Sequence, residues 1–154
     1  MKPVLSVSIP IWNEEACIRN SLNEMIAAFK ENDVPYELVL VNNGSTDGTA
    51  AILEEFRGPG VKIVTVMPNR GFGGGLLAGY AECTGDLISF NCADGQIPPH
   101  EFVKLYNIAV SENALVTKGD RQTKYESFLR RFYSKGYNRL CKWMFNVDVR
   151  DING

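Results

Sequence analysis

Histidine is nearly absent from this sequence: His100 stands alone among 154 residues. A histidine-cluster metal site is thereby excluded, and acid–base chemistry by histidine is not expected. Long apolar runs are missing too. None approaches the roughly 18 residues needed to cross a bilayer. The opening Met-Lys-Pro-Val-Leu-Ser-Val-Ser-Ile-Pro is too short and too strand-like for a signal peptide, so a cytoplasmic start is expected. Cysteine is sparse: Cys17, Cys83, Cys92 and Cys141 form no C-x-x-C pair. Their spacing suggests neither zinc nor a disulfide framework. They read as small, mostly buried residues in a reducing compartment. Internal repeats and low-complexity linkers are absent.

What is present suits one globular domain: 45% hydrophobic and 22% charged residues over a length that can bury a core. Net charge is −2 but uneven. Residues 118–142 hold eight Lys or Arg and two acids, a balance of +6, so the remainder carries −8. This asymmetry points to an anionic partner near the C-terminal end. Nucleic acid is not expected, because the rest of the chain is acidic.

Apolar runs at 4–9, 36–41, 61–66 and 86–90 read as buried strands. Helical spacing follows each, with Asn13 as a cap for a helix running to about residue 31. Further helices are expected over 47–56, from the glycine-rich turn at 68–75 to about 83, from Pro98-Pro99 to 112, and over 124–145. Residues 114–117 suggest a short strand. Alternating strands and helices imply a parallel sheet with right-handed crossovers. Such sheets bind ligands beyond the carboxyl ends of their strands. The informative residues are then 10–15, 42–45, 69–75 and 91–96.

Singly, those loops say little. Asn42 to Ser45 reads as a turn, Glu14 as a helix-start charge, Asp94 as a turn acid. The glycine-rich stretch contains G-x-G, but a dinucleotide fingerprint needs glycine at 76, which is Leu, and follows a first strand rather than a third. Taken together they are specific. Pro10-Ile11-Trp12-Asn13-Glu14-Glu15 resembles the P-x-aromatic-N-E opening of family 2 glycosyltransferases. Asn42-Asn43-Gly44-Ser45-Thr46-Asp47-Gly48-Thr49 is similar to their D-D-G-S-x-D-G-T. Asn69-Arg70-Gly71-Phe72-Gly73 resembles their N-x-G-x-G, and Cys92-Ala93-Asp94-Gly95-Gln96-Ile97-Pro98-Pro99 their D-x-D-x-Q-x-P-P. The likeness covers the whole chain and is nearest to the branch that glycosylates polyprenyl phosphates.

The resemblance implies an α/β, GT-A Rossmann-like fold with a mainly parallel sheet flanked by helices. It implies a hexosyltransferase that moves a sugar from a nucleotide diphosphate-sugar to a polyprenyl phosphate or other glycan acceptor, with inversion. Pro10, Trp12, Glu14, Asn43, Ser45, Asn69, Gly71 and Ala93 are the expected donor contacts. Asp94, with Gln96, is expected to hold Mg²⁺ or Mn²⁺ against the departing diphosphate. Two departures stand out. Asn43 replaces an Asp that accepts the N–H of a base, and Cys92 replaces the first Asp of D-x-D, a poor partner for a hard cation. A nucleotide-binding module without catalysis therefore stays open as an alternative.

Within the basic stretch, Phe128-Leu129-Arg130-Arg131-Phe132-Tyr133-Ser134-Lys135-Gly136-Tyr137-Asn138 resembles an R-x-x-x-S-x-x-x-N segment whose Arg and Ser meet the acceptor phosphate. Arg130 and Ser134 are the expected acceptor contacts, with Arg121 and Asp151 as catalytic residues beside Asp94. The aromatic-basic helix suits an anionic membrane surface, giving a peripheral protein at the cytoplasmic membrane face. The alternative is a helix whose aromatics pack on the sheet. By resemblance, residues 1–154 form a nucleotide-sugar-binding domain incomplete at its C-terminus.

Overall fold

The computed structural model describes residues 4–95, 97–119 and 128–145. The side chains at 128–132, 134, 135, 138 and 145 lie outside that description. The chain divides into two compact units, Met1–Thr117 and Lys118–Gly154. The first holds β1 (Leu5–Ile11), α1 (Ile18–Glu31), β2 (Tyr36–Asn42), α2 (Thr49–Glu55), β3 (Val61–Thr65), α3 (Gly71–Tyr80), β4 (Leu87–Phe90) and α4 (Pro99–Glu112). The second holds α5 (Phe128–Phe145).

The four strands form a parallel sheet in the order β3-β2-β1-β4. All seven residues of β1 are buried, as a central strand covered on both faces requires. Leu5, Val7, Ile9 and Ile11 face one core with Leu38 and Leu40 of β2. Ile18, Leu22, Met25 and Phe29 of α1, Leu53 of α2 and Phe102, Val103 and Tyr106 of α4 complete it. Val39, Val41 and Val66 pack on the opposite face with Ala78 of α3.

Close approach explains two glycines of α3, Gly75 and Gly79. A Cβ on Gly79 would stand 2.0 Å from Ser8 Oγ and 2.9 Å from a Val41 methyl. The helix therefore rests directly on β1 and β2 at Gly79, where no side chain fits. The same face carries a buried polar hub below α3. Glu37 of β2 accepts hydrogen bonds from Ser6 Oγ, from the backbone N–H and hydroxyl of Thr84, and from Lys62 of β3. Burial pushes its pKa up, but these donors outweigh burial and hold it down to about 2.

Three local expectations are corrected. Asn13 does not cap α1, which begins at Ile18. Asn13 instead adopts φ 55°, and its Oδ1 accepts the Thr46 N–H at 2.8 Å. The glycines expected in a turn at 68–75 are helical from Gly71 onward. Residues 114–117 are not a strand, and Leu115 is fully exposed. Among the cysteines only Cys141 is buried; Cys17, Cys83 and Cys92 are half-buried, and all four are free thiols.

Candidate functional site

β1 and β4 part company early, and the cavity opens where they do. Their last pair is Ser8↔Phe90. Ser8 turns its carbonyl toward β4, accepting the Asn91 N–H at 3.1 Å, and alternate residues share that side. Pro10 thus lacks its N–H at a point where β4 has already ended.

Beyond these strand ends lies a cavity of about 650 Å³, a size that holds a nucleotide-like ligand. Its walls are Pro10, Ile11, Trp12, Glu14, Asn43, Asn69, Gly71, Phe72, Cys92, Ala93 and Asp94. Eight expected site residues therefore converge: Pro10, Trp12, Glu14, Asn43, Asn69, Gly71, Ala93 and Asp94. Ser45 is not on the wall; its hydroxyl accepts the Asn13 N–H at 3.1 Å. Gln96, Arg121 and Asp151 lie outside the described residues. Arg130 and Ser134 belong to α5, with side chains outside the description.

The loops that carry the wall are tied to one another. The Glu14 N–H donates to Thr49 Oγ1 at 2.9 Å, and Glu15 accepts the Gly48 N–H. The Cys17 thiol donates to Glu14 Oε2 at 3.0 Å. That hydrogen bond, burial, and the charges of Glu14 and Asp94 push the thiol up to about 11, so Cys17 stays protonated at neutral pH. Asn43 is 3% exposed. Its Oδ1 accepts the Arg70 N–H at 3.1 Å and its Nδ2 donates to the Gly71 carbonyl at 2.9 Å.

Trp12 is 55% exposed and Phe72 is 51% exposed, so two aromatic rings are available to a ligand. Phe72 also packs edge-on against Phe90, with ring centroids 6.2 Å apart. Reasoning from sequence missed Ile11 and Phe72 as wall residues. Their positions inside the motifs, Ile11 ending β1 and Phe72 opening α3, were the available signal. Cys92, read from sequence as one of the mostly buried cysteines and as a departure from D-x-D, is half-buried and lines the cavity. Glu14 and Asp94 are the charged residues among the described wall, and both are acidic. Among the described residues, no three His, Cys, Asp or Glu side chains gather into a metal cage.

The model of glycosyl transferase family 2 matches residues 6–151. The undecaprenyl-phosphate 4-deoxy-4-formamido-L-arabinose transferase of Shewanella sediminis is 36% identical over 151 residues, 96% of this chain and 45% of that protein. The proteins of the same name from Edwardsiella ictaluri and Sodalis glossinidius are 37% and 34% identical, each over 90% of this chain and 43% of theirs. The chain thus spans less than half the length of these curated relatives. Among solved structures, S. aureus TarS 1–349 superposes with a TM-score of 0.61 at 22% identity, over 82% of this chain and 40% of that one. Its complex with UDP gives 0.60 at 21% identity. The fold is thereby that of GT-A glycosyltransferases, a parallel sheet flanked by helices. With the family model spanning nearly its whole length, the chain belongs to glycosyl transferase family 2.

Proposed function

We propose that this chain is the donor-binding part of a hexosyltransferase that moves a sugar, with inversion, from a nucleotide diphosphate-sugar to a polyprenyl phosphate. One observation carries the reading: loops after successive parallel strands, each bearing a family-like motif, meet at a single cavity. Trp12 packs against base or ribose, and Glu14 accepts hydrogen bonds from ribose hydroxyls. Ala93 and Gly71 let the diphosphate approach the backbone.

The acidic wall favours a counter-ion. A diphosphate beside Glu14 and Asp94 is repelled unless a cation lies between them. Asp94 would supply a hard oxygen ligand for Mg²⁺ or Mn²⁺, with Gln96 as a second oxygen donor. Bound there, the ion would neutralise the charge that develops on the leaving group.

The acceptor phosphate is already anionic, so the chain needs to position it more than to deprotonate it. Arg121, Arg130 and Ser134 hold that phosphate in this reading, and Asp151 orients the acceptor. No helix among the described residues is long and apolar enough to cross a membrane. On α5, Tyr133, Tyr137, Leu140 and Met144 recur at helical spacing and are all exposed. This stripe, with Arg139 and Lys142 on the same helix, supports peripheral contact with an anionic membrane at its cytoplasmic face.

Calorimetric titration with UDP and GDP in the presence of Mn²⁺ tests donor binding. Heat from one of them is expected; none from either contradicts the reading. Cys92 favours a second reading, a module that holds nucleotide without turnover. Sugar transfer measured with and without Mn²⁺ separates the two.

A further inference from the structure

We infer that Asn43 is a positioning residue whose neutral amide builds one wall of the donor cavity. The inference rests on the donor-site reading above and deepens it. Both ends of the amide are committed to the turn that opens α3. Oδ1 faces the Arg70 N–H at 3.1 Å, while Nδ2 faces the Gly71 carbonyl at 2.9 Å and Asn69 Oδ1 at 3.4 Å. A donor at one end and an acceptor at the other fix the orientation of the amide. The turn also presses on the next residue. Gly44 has φ +77°, and a Cβ there would lie 2.7 Å from Asn69 N. Asn69, Gly71 and Phe72, held in this way, are cavity wall.

A carboxylate at this position keeps the bond from Arg70 but loses the one to Gly71. It sets a charged oxygen against a carbonyl and against Asn69 Oδ1, in a site only 3% exposed. The charged groups nearby are Arg70 in the turn and Glu14 and Asp94 on the wall, so the change adds a third negative charge to an acidic cavity. The resemblance implies a base-reading carboxylate here, for which Asn43→Asp would be neutral or favourable. The geometry points the other way. A protonated carboxyl, by contrast, mimics the amide, with one donor and one acceptor.

The test compares UDP affinity, with Mg²⁺, of the wild type and Asn43→Asp at two pH values. The variant is expected to bind at least about tenfold more weakly near pH 7.5 and to recover most of that loss near pH 5.5. Taking the ratio to wild type at each pH removes the pH effects that the two proteins share. Equal or tighter binding by the variant near pH 7.5 overturns the inference, as does a loss that acid does not restore. If the variant fails to fold, hydrogen exchange in the ligand-free wild type decides: slow exchange of the Asn43 Nδ2 and Arg70 N protons is expected, and fast exchange overturns it. A wild type that binds neither UDP nor GDP is the failure of the donor-site reading, and the exchange measurement still judges Asn43; if GDP alone binds, the comparison is run with GDP.

Discussion

Glu37 is 8% exposed yet ionised, and its worth depends on pH. Its pKa is lowered in the folded chain, from 4.5 to about 2, by donors that the unfolded chain lacks. Its contribution is therefore complete above the unfolded value and fades as pH falls toward the folded one. A shift of that size corresponds to roughly 3 kcal/mol at neutral pH. Urea unfolding between about pH 7 and pH 3 should show the wild type losing this stability, while Glu37→Gln starts lower and changes less. Parallel curves would contradict the assignment. At the cavity, Cys92→Asp adds a carboxylate beside Asp94 and should tighten Mn²⁺ binding, in the presence of UDP, by about 1 kcal/mol or more. Unchanged Mn²⁺ affinity would remove Cys92 from the metal side. Trp12, Glu14 and Asp94 were legible because each follows a strand within a motif. The clasps made by Asn13 and Asn43 were not, because their partners lie some 30 residues away, and only the folded backbone brings them together.

Elements were legible where a single period ran unbroken, as in β1, β2 and α1. They were misjudged where tertiary contact overrules local signals. Four glycines between 71 and 75 suggest a turn, yet they are helical, and Gly75 lies where a Cβ would stand 3.0 Å from Asn43 Nδ2 and 3.1 Å from Pro10 Cβ. Gly79→Ala should cost ~1–3 kcal/mol, because the new methyl meets Ser8 and Val41. Gly73→Ala meets nothing within 4 Å and should stabilise α3 by ~0.5–1 kcal/mol. Thermal melts of the two variants should move in opposite directions; equal shifts would contradict the packing of α3. For α5, co-sedimentation with anionic vesicles should weaken as salt rises, and weaken further in the double variant Arg130→Glu, Arg131→Glu. Each basic side chain near an anionic surface contributes ~1 kcal/mol, screened within a Debye length. Equal recovery with neutral vesicles would remove the electrostatic part of the proposal. No recovery with either would remove all of it.

At the scale of the molecule, parallel strands set the outcome. They put every post-strand loop at one end of the sheet, which is why motifs far apart in sequence could be assigned to one place. The extent of the wall was less legible, since Ile11, the last residue of β1, reads as core and Phe72 as part of a glycine-rich turn, although it lies in the first turn of α3. A second hollow, a groove of about 400 Å³, runs beside β4, where Ile88, Phe102, Tyr106 and Leu115 line it. The most direct test of the central claim maps UDP and GDP, each with Mg²⁺, onto the backbone amides of the ¹⁵N-labelled chain, and reads the one that binds. Shifts are expected at residues 12–14, 43, 69–72 and 92–94. Shifts confined to the groove beside β4, or none anywhere, would contradict it.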